Sequence, residues 1–162
     1  MTWLPDLPQG DTDWDRLSAV FPGAFAAVEE LHRAVWTAVD PLLVELARLR
    51  IATLLRFDAG LTVRSRRARD AGLGEDKIAE LGSWPTSPRF SARERACIAL
   101  AEQFVIDVNG VTDRLVDDVL EHLSSPECYA FVNALSALEN LQRACLTLGV
   151  TTSPEARWLA GV

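Results

Sequence analysis

Cysteine and histidine supply most of the redox, nucleophilic and metal-binding chemistry of proteins, and this chain holds few of either. Its cysteines are Cys97, Cys128 and Cys145, and its histidines are His32 and His122. Three cysteines far apart in sequence favour free thiols in a reducing compartment over a disulfide framework. Neither histidine stands at metal-ligand spacing from another histidine or from a cysteine. We therefore expect no metal site and no bound cofactor.

The sequence around most of these residues predicts that they pack in the core rather than take part in a reaction. Cys97, Cys145 and His32 fall on the apolar stripes of predicted helices, where they are typical of the core. Cys128 follows Ser125-Pro126 in a first helical turn, where the helix dipole lowers the pKa of a thiol and the adjacent Glu127 opposes that effect. A reactive thiol is one interpretation of Cys128, and a partly buried, inert thiol is the one that we prefer.

Arg64 is a charged residue at a predicted inward position. It shares one helix face with Leu61, Ala68 and Ala71, whereas its three arginine neighbours at positions 66, 67 and 69 point elsewhere. Because a buried charge is costly unless it is paired, Arg64 needs a carboxylate, either from this chain or from a ligand.

The elements that would position Arg64 lie between Pro41 and Gly72. Asp40-Pro41 is a helix-start signal, and residues 41–56 are apolar around most of the helix circumference, as in a helix buried on nearly all sides. After a break at 57–59, a second helix over 59–71 ends at Gly72. The pattern predicts a central antiparallel pair of helices.

The rest of the chain repeats the helical period and never the strand period. Further helices are predicted over 13–20, up to Val39, over 74–81, from Ser91 to about 108, over 112–123 and over 125–148. The fold class is all-α, with six to eight helices in a single domain over 1–162. Residues 1–12 form an irregular arm, which is either a frayed terminus or a segment that packs on a neighbouring subunit.

Composition and charge exclude several classes of function. The chain has 162 residues, of which 49% are hydrophobic and 24% are charged, and its net charge is −7. No apolar run approaches the roughly 20 residues needed to span a bilayer, and the acidic balance opposes binding to nucleic acid. The first residues show no secretory signal, so we expect a cytoplasmic protein.

Two stretches resemble the core of the AhpD-like alkylhydroperoxidase and carboxymuconolactone decarboxylase superfamily. They are LVELARLRIA, from Leu43 to Ala52, and SRRARDAGL, from Ser65 to Leu73. The likeness extends over residues 28–150. It implies an all-helical fold that assembles as a homo-oligomer, a dimer, trimer or hexamer, with the active pocket beside the paired central helices.

In the redox branch of this family, a glutamate on the first central helix is followed by a Cys-x-x-Cys and then by a histidine four residues later. The thiols reduce a peroxide while the glutamate and the histidine relay protons. In this chain Glu45 matches the glutamate, but Phe57 and Gly60 stand at the two cysteine positions and Arg64 stands at the histidine position. Since neither phenylalanine nor glycine can act as a nucleophile, we predict no dithiol peroxidase activity.

The matched positions leave three roles open for Glu45 and Arg64. They could form a buried structural ion pair, or Arg64 could hold the carboxylate or phosphate of a small anionic ligand with Glu45 as acid or base. Glu45 could instead pair with Arg48 or Arg50 on its own helix.

Three classes of function follow from these roles. The first is a non-redox homologue that binds a small molecule or serves as a structural subunit. The second is a decarboxylase or isomerase that works without thiols through Glu45 and Arg64. The third, an alkylhydroperoxidase, lacks its nucleophile. An apolar plug at Phe57 would favour the first class, and a polar cavity there would favour the second.

Overall fold

The computed structural model describes residues 2–159, and within that range the chain is helical with no β-strand. The all-α prediction is confirmed. The α-helices are α1 Asp13–Ser18, α2 Pro22–Ala38, α3 Pro41–Leu55, α4 Asp58–Leu61, α5 Arg66–Asp70, α6 Glu75–Ala79, α7 Ala92–Ile106, α8 Asp113–Leu120, α9 Ser125–Thr147 and α10 Glu155–Trp158. Short 3-10 turns cover Leu81–Ser83 and Val108–Gly110. The described range thus holds more helices than the six to eight predicted, because the central segment is broken and α10 was not foreseen.

Helix α3 is the centre of the molecule. The Asp40 carboxylate accepts a hydrogen bond from the amide of Leu42 at 3.0 Å and caps the helix, and Pro41 occupies its first turn. The helix packs against α2, α7 and α9, so that nine of its fifteen residues are buried. It ends where Arg56 takes the left-handed conformation at φ 56°.

The predicted second central helix over 59–71 is not continuous, which corrects the antiparallel pair expected from the sequence. The chain forms α4 and α5 with an irregular link at residues 62–65. The carbonyls of Gly60 and Val63 accept hydrogen bonds from the Arg48 side chain, and the amide of Ser65 donates to Glu45. These backbone groups are bound by side chains of α3, and the Ser65 hydroxyl caps α5 through the amide of Ala68.

The sequence signals for helix ends hold at four places. Ser91 and Glu94 form the predicted capping box of α7, and Thr112 caps α8. Gly72 and Gly149 end their segments with φ of 99° and 67°, which is the left-handed region where glycine has no steric penalty.

The N-terminal arm is attached to this chain's own α9. Residues 2–12 form no helix, and the Thr2 hydroxyl donates to the Leu148 carbonyl at 2.6 Å. The Trp3 amide donates to the same carbonyl at 3.1 Å. The start of the arm is therefore held in place, while Met1 lies outside the described residues.

Within residues 2–159, no helix combines the length and the apolar character needed to cross a bilayer.

Candidate functional site

The Glu45 carboxylate is fully buried and paired with Arg48, one turn later on α3. Arg48 Nε donates to Glu45 Oε2 at 2.7 Å, and Nη2 donates to Glu45 Oε1 at 2.9 Å. The amide of Ser65 also donates to Oε1, at 3.1 Å. Such a two-pronged arginine–carboxylate pair is the strongest form of this interaction, and it uses both oxygens of the acid.

The remaining N–H groups of Arg48 are also bound. Nη1 donates to the Gly60 carbonyl at 2.8 Å and to Glu155 Oε2 at 3.1 Å, and Nη2 donates to the Val63 carbonyl at 2.7 Å. All five guanidinium donors are thus used, which is the condition under which a buried arginine is tolerated. Arg48 joins α3, α4, the 62–65 link and α10.

Glu155 brings a second buried carboxylate to this centre from the far end of the chain. It lies in α10, and the Ser153 hydroxyl donates to its Oε2 at 3.2 Å. Burial alone would lower the pKa of Arg48, but the charges of Glu155 and Glu45 overcome that effect and raise the pKa above its ordinary value. The guanidinium therefore stays charged at every physiological pH.

Phe57 and Gly60, at the positions where the resemblance places two cysteines, are both buried. The Phe57 ring is 3% exposed and packs in a cluster with Trp14, Leu17, Ala52, Leu141, Cys145 and Val150. A Cβ atom on Gly60 would lie 2.7 Å from Cδ1 of Phe57, so the ring fills the space that a side chain at position 60 would need. The phenylalanine acts as an apolar plug.

Half of this chain matches the model of a known protein family. Residues 22–103, which run from α2 through most of α7 and contain Glu45 and Arg48, match the model of the carboxymuconolactone decarboxylase family. The match covers half of the chain. The chain belongs to the carboxymuconolactone decarboxylase family.

Two individual proteins are similar to this chain. The uncharacterized protein YnjA of Escherichia coli K12 is 26% identical over 128 residues, which are 79% of this chain and 69% of YnjA. A crystal structure from Agrobacterium tumefaciens, of a protein of unknown function proposed to be the antioxidant defence protein AhpD, superposes with a TM-score of 0.75. That match covers 82% of this chain and 92% of the other at 21% identity, and it shows the shared fold.

Arg64 is not the partner of Glu45 in this family member, which corrects one pairing considered from the sequence. Its Nε donates to Glu75 at 3.1 Å, its Nη1 donates to the carbonyls of Leu61 and Val63, and its side chain is 23% exposed. Arg64 therefore points outward from the centre. Of the alternatives for Glu45, pairing with Arg48 is the one that the structure forms, while Arg50 pairs with Glu102.

The three cysteines are free and buried. Burial raises the pKa of Cys97 and of Cys145 to about 12 and raises the pKa of Cys128 as well. A raised pKa leaves almost no thiolate near neutral pH, and thiolate is the reactive form. At Cys128 burial outweighs the position near a helix N-terminus, so the packing interpretation fits all three residues.

His32 is the predicted core histidine. Its Nδ1 lies 3.1 Å from the Val28 carbonyl, and its ring packs at 5.1 Å from the ring of Trp158. Burial lowers the pKa of His32, and the nearby charge of Glu155 opposes part of that shift. Across residues 2–159, no group of three or more histidine, cysteine or acidic side chains has the arrangement of a metal site.

The sequence interpretation missed Glu155 as a member of the centre. It is 107 residues away from Arg48 and follows the last predicted helix, so neither periodicity nor the family resemblance pointed to it. The signal that was available is Ser153-Pro154-Glu155, which has the same composition as the start of α9 at Ser125-Pro126-Glu127. It marks a helix start, although it does not reveal the burial of the acid.

The arrangement restricts what the centre can do chemically. A general base needs an oxygen within reach of a substrate proton, and both oxygens of Glu45 are fully buried and bound to donors. An anion-binding arginine needs free N–H groups, and Arg48 has none left. The centre is built to hold α3, α4 and α10 together.

Proposed function

We propose that this protein is a non-redox member of the carboxymuconolactone decarboxylase family, without dithiol peroxidase activity. The observation that carries the proposal is the buried Phe57 ring, which fills the space beside Gly60 at the two positions where the redox branch has its thiols. The three cysteines of the chain are buried with raised pKa values, so none offers a replacement thiolate.

The same observations bear on the second candidate, a decarboxylase or isomerase that uses Glu45 and Arg64. Such an enzyme needs the acid and the arginine to face one substrate. Glu45 is bound inside the core, whereas Arg64 is directed to Glu75 near the surface. The separation favours the first candidate, a non-redox protein that binds any small-molecule ligand away from Phe57 and Gly60.

Steady-state reduction of tert-butyl hydroperoxide with dithiothreitol as the reductant tests this proposal. We expect the purified protein to add no turnover to the background reaction of the two reagents. The matched control is the variant with Cys97, Cys128 and Cys145 all replaced by alanine, which should give the same background rate.

Protein-dependent turnover would contradict the proposal. Its disappearance in the cysteine-free variant would assign the activity to one of the three thiols, and its persistence would assign it to a group other than a thiol. The variants Glu45→Gln and Arg64→Met would then show whether these two residues take part.

A further inference from the structure

A surface cleft of about 370 Å³ lies between α7, α8 and the loop that precedes α7. It shares no lining residue with the Glu45–Arg48 centre. Its floor is the face of α7 that carries three alanines, and its walls carry charged and aromatic side chains; the lining comprises Ala92, Ala96, Ala99, Trp84, Arg95, Asp118, Glu121 and His122. Clefts of this volume are of the size that binds small molecules.

Arg95 lines the cleft with an incompletely satisfied guanidinium. Its Nη2 donates to the Ser87 carbonyl at 2.7 Å, but its Nε is buried and has no acceptor. Of the carboxylates in residues 2–159, none lies within 4.0 Å of this partly buried guanidinium, whereas the fully buried Arg48 holds two. Buried donors are nearly always paired, so the Arg95 guanidinium is incompletely satisfied, and without a carboxylate partner its charge is available to the anionic group of a ligand.

The opposite wall of the cleft carries negative charge. Asp118 and Glu121 are three residues apart on and just after α8, so they lie on the same side of that helix. Both are exposed, and within the described part of the chain neither has a cationic partner within 4.0 Å. The cleft thus presents one positive group and two negative groups that do not pair with each other.

Trp84 gives the cleft a rigid apolar wall. Its indole Nε1 donates to Glu102 at 2.8 Å, which fixes the orientation of the ring. A fixed indole beside a floor of alanines offers contact for an apolar or aromatic group, and it costs little side-chain entropy on binding.

We propose that this cleft binds a small zwitterion of the amino-acid class. The ligand's carboxylate pairs with Arg95, its ammonium group lies between Asp118 and Glu121, and its apolar side group packs on Trp84. This inference goes beyond the proposed loss of peroxidase activity and does not depend on it, because the two involve different residues.

L-phenylalanine is the first probe, and each of two analogues carries only one of its two charged groups. Phenylpropionate keeps the carboxylate and lacks the ammonium, and phenethylamine keeps the ammonium and lacks the carboxylate. Titration is followed by calorimetry and by the indole signals of the protein's five tryptophans in a proton–nitrogen correlation spectrum. We expect saturable binding of L-phenylalanine with a shift of the Trp84 indole signal, and about tenfold weaker binding of each analogue.

Variants of the protein then test which charged group of the ligand each wall of the cleft binds. Arg95→Met should weaken L-phenylalanine binding about tenfold and leave phenethylamine binding unchanged. The double variant Asp118→Asn/Glu121→Gln should weaken L-phenylalanine binding about tenfold and leave phenylpropionate binding unchanged. Arg66→Met, at an exposed arginine outside the cleft, is the control and should bind like the unaltered protein.

The proposal is overturned if L-phenylalanine gives no saturable shift, or if both analogues bind as well as it does. It is also overturned if the folded Arg95→Met protein binds all three probes normally. Should Arg95→Met fail to fold by circular dichroism, the analogue series on the unaltered protein and the exposed acidic variants still decide the outcome.

Discussion

At the scale of single residues, Glu45 is held by a neighbour on its own helix. Glu45 keeps its position on α3, but Arg48 lies three residues later, where a helix brings side chains together. Because both carboxylate oxygens are bound to Arg48 and fully buried, Glu45 is not within reach of a substrate. This burial supports our proposal that Glu45 has a structural role in this protein.

Arg48 in turn depends on groups that are not adjacent in sequence. Its Nη1 donates to both Gly60 and Glu155, and its pairing with two acids offsets the cost of burying a charge. Position 45 was found from the sequence because the family resemblance marks it. Glu155 was not found, because no local pattern reports a contact over such a separation.

His32 provides a pH-dependent test at this scale. Burial lowers its pKa in the folded protein, whereas the unfolded chain keeps the ordinary value near 6.5. As pH falls through 6.5 the unfolded state takes up the proton first, so this contribution to stability is lost as pH falls below that value. We expect His32→Gln to flatten the dependence of unfolding free energy on pH between 5 and 7, whose slope from one group is at most about 1.4 kcal/mol per pH unit.

The matched control is His122→Gln, at the exposed second histidine of the chain. Urea unfolding at several pH values measures both variants. An unchanged pH profile in His32→Gln, or an equal flattening in His122→Gln, would contradict the assignment.

At the scale of elements, the helix ends that depend on neighbouring residues could be predicted from the sequence. The break that depends on side chains of another helix could not. The capping box at Ser91 and the glycine stops at Gly72 and Gly149 are encoded within a few residues. The break at 62–65 depends instead on side chains of α3 that bind the Gly60, Val63 and Ser65 backbone. The period of residues 59–71 fits one helix, and tertiary contacts override it.

Gly149 tests the end of α9. It has φ 67°, and a Cβ atom there would lie 2.7 Å from Nε1 of Trp3. We expect Gly149→Ala to destabilise the protein by about 1 kcal/mol or more, because alanine is strained at positive φ and the added carbon crowds the arm.

Thermal or urea unfolding measures this change. Gly82→Ala is the control, since a Cβ atom on Gly82 would meet nothing within 4 Å and its φ is not positive. Equal stabilities for the two alanine variants would show that neither the backbone conformation nor the Trp3 contact matters.

At the scale of the whole molecule, several large apolar side chains are exposed. Trp3 and Tyr129 are each 74% exposed, Phe21 is 68% exposed and Ile106 is 67% exposed. Aromatic side chains such as Trp3, Tyr129 and Phe21 are enriched at protein interfaces. Together with the family resemblance they support our proposal that the protein is a homo-oligomer.

Size-exclusion chromatography with light scattering tests the assembly. The monomer is 17.8 kDa, and we expect a mass corresponding to two, three or six copies. A mass of one copy at micromolar concentration would contradict the proposal without affecting the account of the Glu45–Arg48 centre.

The central claim, that Glu45 is a structural part of the core, is tested most directly by the coupling between Glu45 and Arg48. The measurement is a double-mutant cycle in urea unfolding with Glu45→Gln, Arg48→Met and the double variant. We expect Arg48→Met to cost about 3 kcal/mol or more and the pair to show a coupling of about 1–3 kcal/mol.

The exposed pair Glu29 and Arg33, joined at 2.9 Å, is the control cycle and should show a coupling of about 0.5 kcal/mol or less. We expect the coupling free energy of the buried pair to be clearly larger than that of this control pair. A coupling no larger than the control, with Arg48→Met as stable as the unaltered protein, would show that Glu45 is not held by the core and would contradict the account.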